Sequence, residues 1–102
     1  MIGVFVSFSY GDDFDRSRLD RVAREAHPMF RGMPGLRLKC FMVDEAGRKA
    51  TNVYLWESRA EADRFFTDEL RDRVTELYGV RPEITFVDVL EVVDNSALAP
   101  TP

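Results

Sequence analysis

Cysteine, histidine and tryptophan each occur once in this chain, at Cys40, His27 and Trp56, and each scarcity removes a class of function. A single thiol forbids an internal disulfide and suits a reducing compartment, so a cytoplasmic protein is expected. One histidine, with no cysteine pair and no clustered carboxylates, supplies no metal-ligating set. No segment approaches the roughly 20 apolar residues that a membrane span needs. Residues 1–10 have no basic start and no long apolar run, so they do not read as a signal peptide. Lysine and arginine are nowhere dense enough to track phosphates, and the net charge is −4, which argues against nucleic acid as a partner. Repeats, low-complexity tracts and internal linkers are absent. The 102 residues therefore read as one domain, 1–94, followed by a loose tail, 95–102.

What the chain does have is periodicity. Ile2, Val4, Val6, Phe8 and Tyr10 alternate with Gly3, Phe5, Ser7 and Ser9, which predicts a strand. Asp13 or Asp15 can cap the helix that follows, in which Leu19, Val22, Ala23, Ala26, Met29 and Phe30 recur at helical spacing. Pro28 should kink or end that helix near His27. Leu36 to Val43 and a segment ending at Trp56 read as two strands joined by a hairpin turn at Glu45–Arg48. Ser58 and Glu61 then form a capping box. Ala62, Phe65, Phe66, Leu70, Val74 and Leu77 carry a helical stripe with a weak point in 67–73, closed by Gly79. Ile84 to Val93 is rich in β-branched residues and predicts a last strand. The order β-α-β-β-α-β belongs to the α+β class. It predicts a ferredoxin-like, four-stranded antiparallel sheet with two helices on one face.

Two helices leave the other face of the sheet bare. Val4, Val6 and Phe8, then Leu36, Leu38, Cys40 and Met42, then Thr51, Val53 and Leu55 are assigned to the helix side. In the last strand Asp88 is taken to prefer the wetter side, which carries Phe86 and Leu90 with it. The bare face then presents Phe5, Phe41, Tyr54, Trp56, Phe86 and Leu90 around Ser7, Arg37, Lys39, Asn52 and Asp88. So much apolar area is not left open on a monomer, and a second copy, a ligand or both should cover it. Lys39 opposite Asp88 reads as an interfacial ion pair. Cys40 reads as a buried, inert thiol. His27, next to a proline, reads as a surface or capping residue.

Four short stretches carry a resemblance: Phe8-Ser-Tyr-Gly11, Pro34-Gly-Leu-Arg-Leu-Lys39, Val53-Tyr-Leu-Trp56 and Asp88-Val-Leu-Glu-Val92. From about residue 3 to 96 the chain resembles the dimeric α/β-barrel superfamily and, within it, the YdhR-like mono-oxygenase family. The resemblance implies a homodimer whose sheets close a barrel, with a pocket in that barrel or between each sheet and its helices. It also implies oxidation of a small aromatic or polyketide-like substrate by molecular oxygen, with no metal, flavin or other cofactor. In similar barrels an asparagine and a tryptophan four apart on one strand, helped by tyrosine and arginine, hold the substrate phenolate, and Asn52 and Trp56 have that spacing. The expected catalytic set is Asn52, Tyr54, Trp56 and Lys39, and the expected substrate-binding set is Phe5, Ser7, Arg37, Phe41, Phe86 and Asp88. A non-oxidative isomerase or cyclase, or a non-catalytic ligand-binding or assembly domain, would use the same scaffold.

Overall fold

The alternating N-terminal segment forms strand β1 (Ile2–Ser9) in the computed structural model, which describes residues 1–97. Helix α1 (Arg16–Phe30) is capped by Asp15, whose carboxylate accepts the Arg18 N–H at 3.2 Å. Pro28 does not end this helix but lies inside it. It stands in the last turn, so the missing donor costs a single backbone bond, and the Arg31 N–H still reaches the His27 carbonyl at 3.3 Å. Strands β2 (Leu36–Asp44) and β3 (Lys49–Trp56) form the expected hairpin around Glu45–Arg48.

Ser58 caps α2 (Arg59–Phe65), and its hydroxyl lies 3.3 Å from the Glu61 N–H and 3.1 Å from the Glu61 carboxylate. The second helical stripe is two helices, not one. The Thr67 hydroxyl accepts the Leu70 N–H at 3.1 Å and starts α3 (Asp68–Tyr78), so the chain breaks at Phe66–Thr67. Gly79, at φ 85°, closes α3 in the left-handed conformation that glycine tolerates. Strand β4 (Glu83–Asp88) stops well short of Val93. Of the expected loose tail, Asn95–Ala97 make one 3-10 turn and residues 98–102 lie outside the described residues.

The four strands pair antiparallel in the order β2-β3-β1-β4, the ferredoxin-like arrangement, with the helices packed on one face. No helix among the described residues is long and apolar enough to cross a membrane.

The register assigns the faces, and on three strands it reverses the expectation. Val4 lies opposite Tyr54, Val6 opposite Asn52 and Ile2 opposite Trp56, so Asn52, Tyr54 and Trp56 share the helix side with the buried face of β1. Lys39 and Phe41 lie opposite Tyr54 and Asn52 and join them. Phe86 pairs with Val4 and does the same. Thr51, Val53 and Leu55 face the other way, as do Leu38, Cys40 and Met42, and Cys40 is exposed rather than buried.

The causes are physical. A β-bulge between Leu36 and Leu38 inserts one residue and flips the parity of β2, so only Leu36 keeps the side expected for it. On β3 both faces are apolar, and the larger rings win the deeper site because each buries more area. Asp88 stands exposed at the end of β4, where its charge stays wet on either face. Within the chain Lys39 and Asp88 do not pair, since three strand spacings, about 14 Å, separate β2 from β4, and Lys39 turns to the helix side rather than to the open face expected to carry an interface. Leu90 lies beyond β4 and is fully exposed. The open face nonetheless remains apolar, with Phe5, Leu38, Met42 and Val87 all exposed on it.

Gly35 holds the entry to β2. Its φ is 82°, its carbonyl accepts the Glu57 N–H at 2.8 Å, and a Cβ there would lie 3.1 Å from the Glu61 Cβ. Gly35→Ala is therefore expected to lower stability by about 1–2 kcal/mol, read as a lower urea midpoint at unchanged slope. An unchanged midpoint would mean that the loop relaxes out of this conformation.

Candidate functional site

The side chains beneath the helices are mostly rings. Tyr54 stacks on Trp56 with centroids 6.1 Å apart, and Phe65 and Phe66 of the α2 region pack against both. Phe30 of α1 reaches Phe41, Tyr54 and Phe65 at 5.8–6.1 Å. These contacts leave a small, partly open cavity of about 60 Å³ between the sheet, α1 and α3, onto which Lys39, Asn52, Tyr54 and Tyr78 open. That space admits a few waters or one dioxygen.

Two polar features mark this cavity. Asn52 is 3% exposed, and its amide donates to the Tyr78 hydroxyl at 2.9 Å, which ties α3 to β3. An asparagine at such depth costs stability unless it is bonded, and this bond satisfies one donor while leaving other amide positions available. Burial raises the Tyr78 phenol above its usual range, with the Asn52 bond acting against it, and burial raises Tyr54 strongly as well. Both tyrosines therefore stay protonated at neutral pH and can donate.

The second feature is Lys39. Its ammonium lies 3.4 Å from the centroid of Phe30, 4.2 Å from that of Phe41 and 4.4 Å from that of Tyr54. Among the described residues no carboxylate lies within ion-pairing distance of it. Ring faces return part of the lost hydration, but not all of it. Burial pushes the Lys39 amine down to about 7, so charged and neutral forms coexist near neutrality.

The structure thus gathers Lys39, Tyr54 and Asn52 around one cavity and brings in Phe41 at its flank. Trp56 is 1% exposed and borders a separate hollow of about 310 Å³ beside Met33, Glu61 and Arg64. Its indole N–H is buried and meets no acceptor. The other expected residues are dispersed. Phe5 and Ser7 lie on the open face, where the Ser7 hydroxyl sits 3.5 Å from that of Thr51. Phe86 packs on Phe66 and beneath the Arg59 guanidinium. Asp88 is at the far edge of the sheet, and exposed Arg37 lies 3.6 Å from Glu57.

Tyr78, which no sequence motif marked, completes the site. Its signal was the stripe in which Leu70, Val74 and Tyr78 follow at four-residue intervals. It stacks flat on Phe8 with centroids 3.9 Å apart.

No protein-family model matches the chain, and no curated protein matches it. Solved structures do share its fold. The structure of Rv0793 from Mycobacterium tuberculosis superposes with a TM-score of 0.66 at 15% identity, covering 91% of this chain and 98% of that one. SnoaB from Streptomyces nogalater, a cofactor-independent oxygenase, gives 0.67 at 10% identity over 90% and 95% of the two chains. The monooxygenase from the ActVA-Orf6 gene of Streptomyces coelicolor, in complex with the ligand nanaomycin D, gives 0.63 at 18% identity over 90% and 89%. The ferredoxin-like fold of antibiotic-biosynthesis monooxygenases is therefore the fold of this chain.

The buried amine makes stability depend on pH. Above the folded value of about 7, and up to the ordinary value of 10.5, the unfolded chain binds a proton that the folded chain has released, so stability rises with pH across that window. Lys39→Met removes the cost of burying the charge, and its gain in stability should be larger at about pH 6 than at about pH 9, by on the order of a few kcal/mol. Urea unfolding at the two pH values measures this. An equal gain at both would mean that the amine is hydrated in solution.

Proposed function

We propose that the chain is a cofactor-independent mono-oxygenase that oxidises a small phenolic or polyketide-like aromatic within a homodimer. The observation that carries this reading is the convergence of Lys39, Asn52 and Tyr78 on one ring-walled cavity beneath the helices. The fold shared with SnoaB and the ActVA-Orf6 protein supports it.

The chemistry asks little of the protein beyond handling a proton and an anion. A neutral Lys39 amine takes the proton of a phenolic or activated methylene group, and the resulting ammonium stays beside the anion it has made. The Asn52 amide and the Tyr78 hydroxyl face the inner cavity, which has room for dioxygen beside the ring, and they supply hydrogen bonds to the oxygen as it takes up negative charge. The electron-rich anion reduces dioxygen directly. In net terms an activated CH2 group and O2 give C=O and water. The carbon loses four electrons and dioxygen gains them, one oxygen atom being retained in the product. The flanking rings exclude bulk water and offer faces for the substrate to stack on.

Oxygen uptake with an anthrone as substrate tests this. Asn52→Ala and Lys39→Met are each expected to lower kcat by roughly 100-fold while the folded dimer persists. Unchanged turnover in both variants sinks the site, and product formation without oxygen consumption would favour an isomerase on the same residues.

The homodimer part of the reading rests on the open face. Phe5, Leu38, Met42 and Val87 are 41%, 42%, 47% and 39% exposed there, a patch that a second copy would cover. Phe5→Asp is expected to convert a dimer into a monomer in light scattering. A monomeric unmutated protein would overturn this assignment and leave the cavity chemistry untouched.

A further inference from the structure

The chain carries a net charge of −4, yet in one concave part of its surface every Lys, Arg, Asp or Glu side chain is a basic one. Where α1 ends and β2 begins, a cleft of about 380 Å³ is lined by His27, Arg31, Arg37 and Lys39, with Phe30 and Phe41 among its apolar walls. No acidic residue lines it. Arg37 has a carboxylate near it, Glu57 at 3.6 Å, and both groups are about half exposed, so this pair is weak and exchangeable. Among the described residues neither Arg31 nor Lys39 has an ion-pair partner.

The position of the cleft gives the charge a direction. Phe30 and Lys39 line both this cleft and the inner cavity that holds Asn52 and Tyr78, so they form the wall between the two. The inner cavity has no room for an aromatic ring, whereas the outer cleft does. A ring laid against Phe30 and Phe41 would therefore meet Lys39 at its inner edge and the two guanidiniums at its outer edge. Arginine forks match the two oxygens of a carboxylate, and focused positive charge in a walled cleft attracts an anion more strongly than the same charges spread over a surface.

We infer that this cleft binds an aromatic acid, a ring bearing a carboxylate or an equivalent anionic group, with the acid held by Arg31 and Arg37 and the ring placed against Phe30 and Phe41 beside Lys39. As a statement about the substrate this rests on the oxygenase reading, whose ligand it narrows from any small aromatic to an acidic one. As a statement about binding it needs no turnover. Arg31 and Arg37 are then the specificity-determining residues of the cleft.

Calorimetric titration of the unmutated protein with 2-naphthoate and with its neutral analogue 2-naphthamide tests it. The acid is expected to bind at least about tenfold more tightly at low salt, and the preference should shrink as salt is added. In Arg31→Gln the preference should fall severalfold, while affinity for the amide stays the same. That variant lies at an exposed helix end and leaves the core intact, and amide chemical shifts of Phe30, Arg31 and Phe41 on titration report the place of binding. Equal binding of acid and amide, or a preference that survives Arg31→Gln combined with Arg37→Gln, overturns the inference. If the acid is preferred but no phenolic acid consumes oxygen, the cleft stands and the oxygenase reading falls. If neutral anthrones are oxidised and the acid is not preferred, the reading stands and this inference falls.

Discussion

Strand β3 is flanked on both edges, by β2 and by β1, and its side chains can point only two ways. Once Trp56 and Tyr54 turn toward the helices, Asn52 and Ala50 must follow them, and the register carries Lys39, Phe41, Val4, Val6 and Phe86 to the same side. The rings then demand helices to cover them, and Phe30, Phe65, Phe66 and Tyr78 supply the cover. The cavity is what these large, stiff side chains leave between them. A single parity choice on one strand therefore sets both the core and the site.

Placing a lysine and an asparagine in such surroundings is costly, and the two are accommodated differently. Asn52 is bonded to Tyr78, so its burial is largely offset and it links β3 to α3. Lys39 has ring faces instead of a carboxylate, and burial acts on its protonation. A carboxylate partner would have raised the pKa of the amine and kept it charged, leaving no neutral form near pH 7. The aromatic box leaves it poised near neutrality, where it can accept a proton or hold an anion. The same lack of carboxylates extends outward along the cleft past Arg31, so cavity and cleft share one electrostatic character although the chain as a whole is acidic.

Much of the architecture was legible residue by residue. The alternation from Ile2 to Phe8, the Asp15 cap, the hairpin at Glu45–Arg48 and the Ser58–Glu61 capping box are local signals, and each stands where the pattern put it. Pro28 was misleading because its position in the last turn, rather than its presence, decides how much a proline costs. The faces of β2, β3 and β4 were not legible. Val53 and Leu55 are as apolar as their neighbours, the bulge at Arg37 has no strong local signature, and the rule that charge prefers water fails for a lysine whose ammonium is surrounded by rings. Asn52, Tyr54, Trp56 and Lys39 were singled out by residue type and spacing, yet expected on the wrong side of the sheet. Tyr78, on α3, and Arg31, at the end of α1, are distant from β3 in the chain and share no motif with it.

By itself the sequence determined the order of strands and helical stretches, though not the division of the second stretch into two helices, because capping, turn chemistry and hydrophobic period act within a few residues along the chain. It also determined which side chains could carry chemistry, since the lone tryptophan and the interior asparagine are conspicuous wherever they point. Only the tertiary structure decided which face those side chains occupy, that Lys39 meets three rings and no carboxylate, and that Asn52 bonds a tyrosine 26 residues away. Those outcomes depend on strand register and on how much ring area the helices can cover. Both are properties of elements that meet only when the chain folds.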